Sequence, residues 1–169
     1  MRAYNTHWEV SDPATLRWPP SDFVDFWEDS LLTARRITAE PIFVSIVSPV
    51  KLLEVFDVTF PGFGGHPIKG WLVLPKYSKG RLPLVVHFLG YGRGRSVGTS
   101  NFIGRHPALH IFARIIAEGS DLSVGSTPDP VGAGPSTMGM FTKGIHSRED
   151  YYLRRIFVDG VRAIDLLSD

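Results

Sequence analysis

Two short stretches near the middle of the sequence carry residue types that ester hydrolysis uses. Gly90-Tyr91-Gly92 follows an apolar run, and a glycine-rich loop there can bring backbone N–H groups close to a ligand because no Cβ stands in the way. Gly94-Arg95-Ser96-Val97-Gly98 has the letters of a nucleophile elbow, in which a serine attacks a carbonyl. The first stretch would hold an oxyanion, or be an ordinary turn with a packed tyrosine; the second would supply the nucleophile.

The spacing around Ser96 argues against a nucleophile. An elbow turns directly from strand to helix, whereas residues 90–93 separate this serine motif from the apolar run and residues 99–107 are a poor helix. A serine nucleophile also needs a histidine and an acid. The candidates in the chain are His106, His110 and His146 for the histidine, with Asp121, Asp129 or Asp150 for the acid. Nothing in the spacing selects among them, so Ser96 stays an open alternative.

Composition excludes several other classes of protein and of functional site. The chain has 169 residues, a formal net charge of +1 and no cysteine, which favours one domain without a disulfide framework, a thiolate zinc site or a cysteine nucleophile. No histidine pair has the spacing of a zinc protease helix, and His66 and His87 fit a turn and a strand interior. We expect a soluble, cytoplasmic chain that needs no metal or cofactor and binds neither nucleic acid nor membrane.

The first half of the chain predicts a helix and a hairpin that would support the central strands. Aromatic and aliphatic residues recur at helical spacing over 22–37, with Ser21 as the N-cap. Residues 53–60 and 68–74 read as two strands, and Gly64-Gly65 between them makes an antiparallel hairpin. We therefore divide the chain into an N-terminal extension, 1–20, and a domain, 21–169.

The second half predicts the strands that would carry the glycine loop. Residues 82–89 are almost all apolar, as in a strand buried on both faces, and 109–116 form a weaker strand. A long loop of Gly, Ser and Pro follows over 119–146, and Ser147 to Asp150 have the form of a capping box. The helix behind that box would bury an apolar face.

The faces of this last helix follow from its residue spacing. The predicted apolar face contains Leu153, Phe157, Val161, Ile164 and Leu167. Arg155, Asp159 and Arg162 would form ion pairs on the opposite, exposed face. Gly160 would permit close packing on the sheet. The whole order predicts an α/β fold in which antiparallel first strands precede a parallel sheet, with flanking helices.

Longer blocks of the sequence resemble a known family. They are DFWEDSLLTAR, EVFDVTFPGFGGHPIKGWLVLP, LPLVVHFLGYGRGR, GSTPDPVGAGP and MGMFTKGIHSREDYYLRRIFVDGVRAIDLL. In this order they resemble the N-terminal half of the acetyl xylan esterase and cephalosporin C deacetylase family of carbohydrate esterases, from about residue 22 to the end.

The resemblance implies an α/β-hydrolase fold and deacetylation of small acetylated sugars by a cytoplasmic, metal-free hexamer. Tyr91 matches the family's substrate-contacting tyrosine, whose backbone N–H belongs to the oxyanion hole, with Gly90 and Gly92 beside it. By this resemblance the glycine loop holds the substrate and does not attack it.

The sequence departs from the family in two places, and both bear on the expected deacetylase activity. The family's nucleophile lies in a Gly-Gly-Ser-Gln-Gly-Gly elbow just after the last helix, and the sequence stops before it. Arg114-Ile115-Ile116-Ala117-Glu118-Gly119 stands where the family has Asp-Thr-Arg-Gly-Gln-Gly. We therefore expect a truncated esterase, inactive alone and without its serine, acid and histidine. The alternatives are a sugar-binding fragment, a fragment that associates with a homologue or aggregates through its exposed core face, and an esterase that uses Ser96.

Overall fold

The structure is a computed structural model that describes residues 19–77, 79–80, 82, 84–86, 88, 109–111, 129–131 and 139–168. Its helices are α1 (Phe23–Arg35) and α2 (Tyr152–Ser168). Its strands are β1 (Ile42–Ile46), β2 (Leu53–Pro61), β3 (Pro67–Pro75), β4 (Leu84–Val86) and β5 (Leu109–Ile111). Short 3-10 turns span Phe63–Gly65 and Met140–Thr142. No helix among these residues is long and apolar enough to cross a membrane.

The strands form an antiparallel group and a parallel pair. The order in the first sheet is β1-β2-β3, with both neighbouring pairs antiparallel, and β4 pairs with β5 in parallel. β5 also lies alongside β3. The predicted hairpin is confirmed, with Pro61 opposite Pro67 across the 3-10 turn. The edge strand β1 was not predicted from the sequence, although its Ile, Phe and Val residues have high strand propensity.

The hydrophobic core lies between the hairpin and α2. Phe60 and Ile68 are cross-strand partners, and Val58 is two residues away on the same face of β2. These side chains pack with Leu72 and with Ala163 of α2. Each aliphatic side chain buried in this way contributes about 1.5–3 kcal/mol to folding. The hairpin therefore provides the surface on which α2 is placed.

Helix α1 begins one residue later than the sequence suggested. Its N-cap is Asp22, not Ser21, and neither side chain caps the helix by a hydrogen bond within the described contacts. The Asp22 carboxylate instead accepts from Arg148, just before α2. At the other end, Arg35 lies in the last turn as predicted and donates two hydrogen bonds of 2.8 Å to Asp165 of α2. Ion pairs at both of its ends therefore join α1 to the α2 region.

The predicted capping box lies before α2 and does not start it. The Ser147 hydroxyl oxygen accepts the backbone N–H of Asp150 at 3.3 Å, but the helix begins only at Tyr152. The Ser147 hydroxyl also donates to Glu149, and the Ser147 backbone N–H donates to the carbonyl of Gly144 at 3.2 Å instead of to the Asp150 carboxylate. The serine and acids therefore stabilise a turn that precedes the helix.

The contact between Arg35 and Asp165 makes stability depend on pH. The hydrogen bond from Arg35 is the main reason that the pKa of Asp165 lies below its ordinary value of 3.8. A lowered folded-state pKa contributes stability above about pH 4, and that contribution is lost as the pH falls through the lowered pKa. We expect Asp165→Asn to be destabilising near neutral pH and close to neutral in strong acid, as urea unfolding at both pH values would show.

The exposed Asp29 on α1 provides the control for this pH effect. Asp29→Asn makes the same chemical change without touching Arg35. If the difference between Asp165→Asn and the parent chain stayed constant from neutral pH into strong acid, the ion pair would not be the source of the pH dependence.

Candidate functional site

The predicted oxyanion loop lies outside the described residues. That holds for Gly90, Tyr91 and Gly92, and it holds for Ser96 and His87 as well. The roles assigned to these residues therefore stay predictions. The structure does describe the strands β4 and β5, Phe88 and helix α2, which precede or support that part of the chain.

Strands β4 and β5 set the edge at which the loop begins. Leu84 pairs with Leu109 and Val86 pairs with Ile111, in parallel. The carboxyl ends of parallel strands meet at one edge of a sheet, which is where α/β folds bind their ligands. Val86 and Ile111, the last residues of the two strands, therefore lie side by side at this edge, where an oxyanion loop after β4 would begin.

Phe88, two residues before Gly90, rests on helix α2 at Gly160. A Cβ added to Gly160 would lie only 3.0 Å from Cε1 of the Phe88 ring. The glycine thus permits the close packing that was predicted for it. It sets the distance between α2 and the chain that enters the loop.

Two substitutions at Gly160 test this packing. Gly160→Ala gains about 1 kcal/mol of helix propensity, and the Phe88 ring, 51% exposed, can move a few tenths of an ångström to admit a methyl group. We expect a small rise in the urea midpoint. Gly160→Leu should instead lower the free energy of unfolding by about 1–3 kcal/mol through overpacking. A midpoint that rose equally for both variants would show that the ring does not rest on the glycine.

Asp129, Lys143 and Arg155 form a buried cluster of charged side chains. Arg155 of α2 donates from Nε to Asp129 Oδ1 at 3.1 Å and from Nη2 to Asp129 Oδ2 at 2.6 Å. Lys143 Nζ lies 3.3 Å from the same carboxylate and donates to the Asp129 carbonyl at 2.9 Å. The Arg155 and Asp129 side chains are fully buried and that of Lys143 is 4% exposed.

Arg155 joins two separate parts of the chain. Besides the Asp129 carboxylate, its guanidinium donates to the carbonyl oxygens of Val131 and Asp150. A guanidinium offers five donors in a rigid fork, so one side chain can satisfy several buried acceptors. The cluster therefore fixes residues 129–131, within the segment predicted as a long loop, against the start of α2.

This arrangement gives the candidate acids described contacts other than a histidine. A triad acid orients a histidine, whereas the described contacts of the Asp129 carboxylate are with the cations Arg155 and Lys143 and with the backbone N–H of Val131. Asp150 is exposed and takes part through its backbone carbonyl. Within the described residues, Asp129 therefore acts as a structural carboxylate. The sequence signal for it is weak, because Arg155 lies 26 residues away.

The predicted faces of α2 are reversed in the structure. Phe157 and Ile164, expected in the core, are 58% and 43% exposed, while Arg155 and Asp159, expected at the surface, are fully buried. Arg155 pairs with Asp129 instead of Asp159, and Arg162 lies 3.4 Å from Asp165. The ion pairs inferred from helical spacing are therefore wrong, because partners distant in sequence take both buried charges.

Asp159 holds the tip of the hairpin. Its carboxylate Oδ1 accepts the backbone N–H of Phe63 at 2.6 Å. The adjacent Gly62 leaves room for this contact, because a Cβ there would lie 2.2 Å from Oδ1. Arg154, five residues earlier on the same helix, lies over the rings of Phe63 and Phe26 at 5.2 and 4.9 Å. Helix α2 thus fixes both the hairpin turn and α1.

Within the described ranges, no group of three or more histidine and acidic side chains is arranged to hold a metal ion. His66 is half-buried beside the hairpin turn and His146 is exposed.

Comparisons with known proteins agree with this framework. The family model for acetyl xylan esterase matches residues 11–169. The acetyl esterase Axe7A of Xylanibacter ruminicola is 27% identical over 175 residues, which cover 98% of this chain and 39% of that protein.

Two solved structures share the fold. The acetyl xylan esterase from Paenibacillus sp. R4 superposes with a TM-score of 0.74 at 25% identity, covering 88% of this chain and 47% of that one. Acetyl xylan esterase 1 from Thermoanaerobacterium sp. JW/SL YS485 gives 0.69 at 22% identity, covering 86% and 45%. The predicted fold class, the N-terminal portion of an α/β-hydrolase fold, is confirmed. The chain spans about half the length of these solved structures and 39% of the curated relative.

Proposed function

The chain belongs to the acetyl xylan esterase family, and on that premise we propose that it forms the N-terminal part of an enzyme that hydrolyses acetyl esters. The observation that carries the proposal is the family match over residues 11–169. The substrates would be acetylated xylo-oligosaccharides and related small esters, cephalosporin C among them. The setting would be a cytoplasmic hexamer.

In the proposed reaction a serine attacks the acetyl carbonyl, and water then hydrolyses the acetyl-enzyme. The negative charge on the carbonyl oxygen would be held by backbone N–H groups, one of them from Tyr91 in the loop after β4. This role is supported by the parallel pairing of β4 and β5, because α/β folds bind their ligands at the edge formed by the carboxyl ends of parallel strands. Gly90 and Gly92 would let the substrate approach the backbone.

We further propose that these 169 residues do not carry the nucleophile. They span between 39% and 47% of the length of the relatives above. The serine, acid and histidine would lie in the part of the fold that these residues do not span. A chain of these residues alone would then bind acetylated sugar weakly and not hydrolyse it, since oxyanion stabilisation alone leaves only a residual rate.

Labelling with a fluorophosphonate tests this division. The probe forms a covalent adduct with an activated serine, and intact mass reports it. We expect no adduct on the folded 169-residue chain, with the intact Paenibacillus esterase as the positive control. A stoichiometric adduct that disappears in Ser96→Ala would contradict the proposal and make Ser96 the nucleophile.

The second candidate function is association with an intact homologue. It is supported by the partly exposed Phe157 and Ile164 of α2, although the Phe157 ring also lies edge-on against Trp27 of α1 at 5.9 Å between ring centroids. Exposed apolar surface of this kind favours association. Phe157→Lys should then abolish capture of the chain by an immobilised intact esterase, whereas Val24→Lys, at an exposed apolar residue of α1, should not. Capture that survives Phe157→Lys would remove this candidate.

A further inference from the structure

The edge strand β1 is apolar on both faces. All five of its residues are exposed, and four of them are Ile42, Phe43, Val44 and Ile46. Residues 42–50 contain no charged side chain. Natural edge strands usually carry charges, prolines or bulges that discourage pairing with another strand. Between Ile42 and Ile46, β1 has neither a charged residue nor a proline.

One side of β1 is open among the described residues. Its register with β2 runs without interruption from Ile42 opposite Thr59 to Ile46 opposite Val55. The sheet order places no described strand on its other side. The backbone N–H and C=O groups on that side are therefore available to a further strand.

A cleft of about 490 Å³ lies where β1 ends and β2 begins. Its lining includes Ser48 beyond β1, the cations Lys51 and Lys76, and the anion Glu54. Within the described part of the chain neither lysine makes a salt bridge. The charged side chains that line the cleft thus have a net charge of +1, which would attract an acidic group.

The chain itself provides such a group at the opposite end of β1. Glu40 is exposed, lies two residues before the strand, and makes no salt bridge within the described residues. In an antiparallel pair of identical strands the start of each strand meets the end of the other. A second copy would therefore bring its acid to this cleft, and the reverse contact would form by symmetry.

We propose that two copies of this chain associate through β1, antiparallel about a two-fold axis at Val44, with Glu40 of each copy facing the lysine-lined cleft of the other. This pairing sets Ile42 against the partner's Ile46 and Glu40 against the partner's Ser48. The two three-stranded sheets become one continuous sheet. The proposal is independent of the esterase reaction.

Oligomeric state and charge reversal test the proposal together. By sedimentation velocity we expect the 169-residue chain on its own, without the rest of the proposed hexameric enzyme, to form a dimer, and we expect Val44→Lys to weaken that dimer by about tenfold or more. Val24→Lys, at an equally exposed apolar residue of α1, should leave it unchanged. Glu40→Lys and Lys76→Glu should each weaken the dimer, and the double variant should recover most of the loss.

A single cysteine tests the register. The chain has no cysteine, so Val44→Cys creates one thiol per copy, and the two-fold axis would bring the pair within the Cα separation of about 4.4–6.8 Å that a disulfide needs. With added oxidant we expect a cross-linked dimer from Val44→Cys and none from Val24→Cys. A monomeric parent chain, a dimer indifferent to Val44→Lys, or cross-linking equal at both sites would overturn the proposal.

Discussion

Replacing Asp129 with asparagine should lower the free energy of unfolding by about 3–5 kcal/mol. The change removes the only negative charge described in the buried cluster and leaves Arg155 and Lys143 facing each other without a carboxylate. Burying an uncompensated charge is costly, whereas the intact pair itself adds little net stability. The loss therefore measures the cost of an unpaired cation and not the strength of the bond.

Urea unfolding of the purified chain, followed by circular dichroism, measures this loss. The matched control is Asp165→Asn, which removes the same charge from a partly exposed ion pair with Arg35 and should cost about 0–1 kcal/mol near neutral pH. Arg155→Lys should fall between the two, since a lysine keeps the charge but cannot make the two-pronged contact with Asp129. Equal and small losses for both asparagine variants would show that the cluster is not buried in solution.

Gly144→Ala should also be strongly destabilising. Its φ of +69° is a left-handed conformation that costs an alanine about 1–2 kcal/mol. A Cβ would in addition lie 2.1 Å from the carbonyl oxygen of Asp150, which is backbone and cannot swing away. Overpacking adds about 1–3 kcal/mol. Because Arg155 donates to that same oxygen, any shift also disturbs the charged cluster.

Gly80→Ala separates the two contributions at Gly144. Gly80 has a similar φ of +82°, but an added Cβ would meet no atom of the described part of the chain within 4 Å. Its loss should be that of the backbone conformation alone, about 1–2 kcal/mol. The difference between the two variants in urea unfolding gives the cost of the steric contact. No difference would mean that the turn from Gly144 to Asp150 is looser than described.

The sequence predicted the elements whose signals are local. The hairpin followed from alternating residues that end at Pro61 and resume after Gly64 and Gly65. Its observed register has Pro61 opposite Pro67. Helix α1 also lay within two residues of its predicted bounds. The short strand β1 was missed because a serine interrupts its apolar run and Pro49 soon follows.

What the sequence could not predict depends on contacts between distant residues. Helical spacing assigned Asp159 to Arg155, yet Asp159 binds the backbone of Phe63, 96 residues earlier, and Arg155 binds Asp129. A local pattern cannot reveal such partners, so the buried face of α2 was placed on the wrong side. For the candidate site, the resemblance of the family blocks predicts the role of the Tyr91 loop, whereas the residue types alone favour an ordinary turn. The loop lies outside the described residues, so its role stays a prediction.

The bond from Asp159 to Phe63 also constrains the order in which the protein can be completed. A ribosome delivers the N-terminal end first, so the hairpin leaves the exit tunnel long before its distant anchor exists. Until α2 has been synthesised and has docked, the Phe63 N–H stays hydrated and the hairpin turn is not locked. Because closing a loop of 96 residues must precede that contact, nascent chains stalled before Asp159 should expose an unfinished sheet to chaperones.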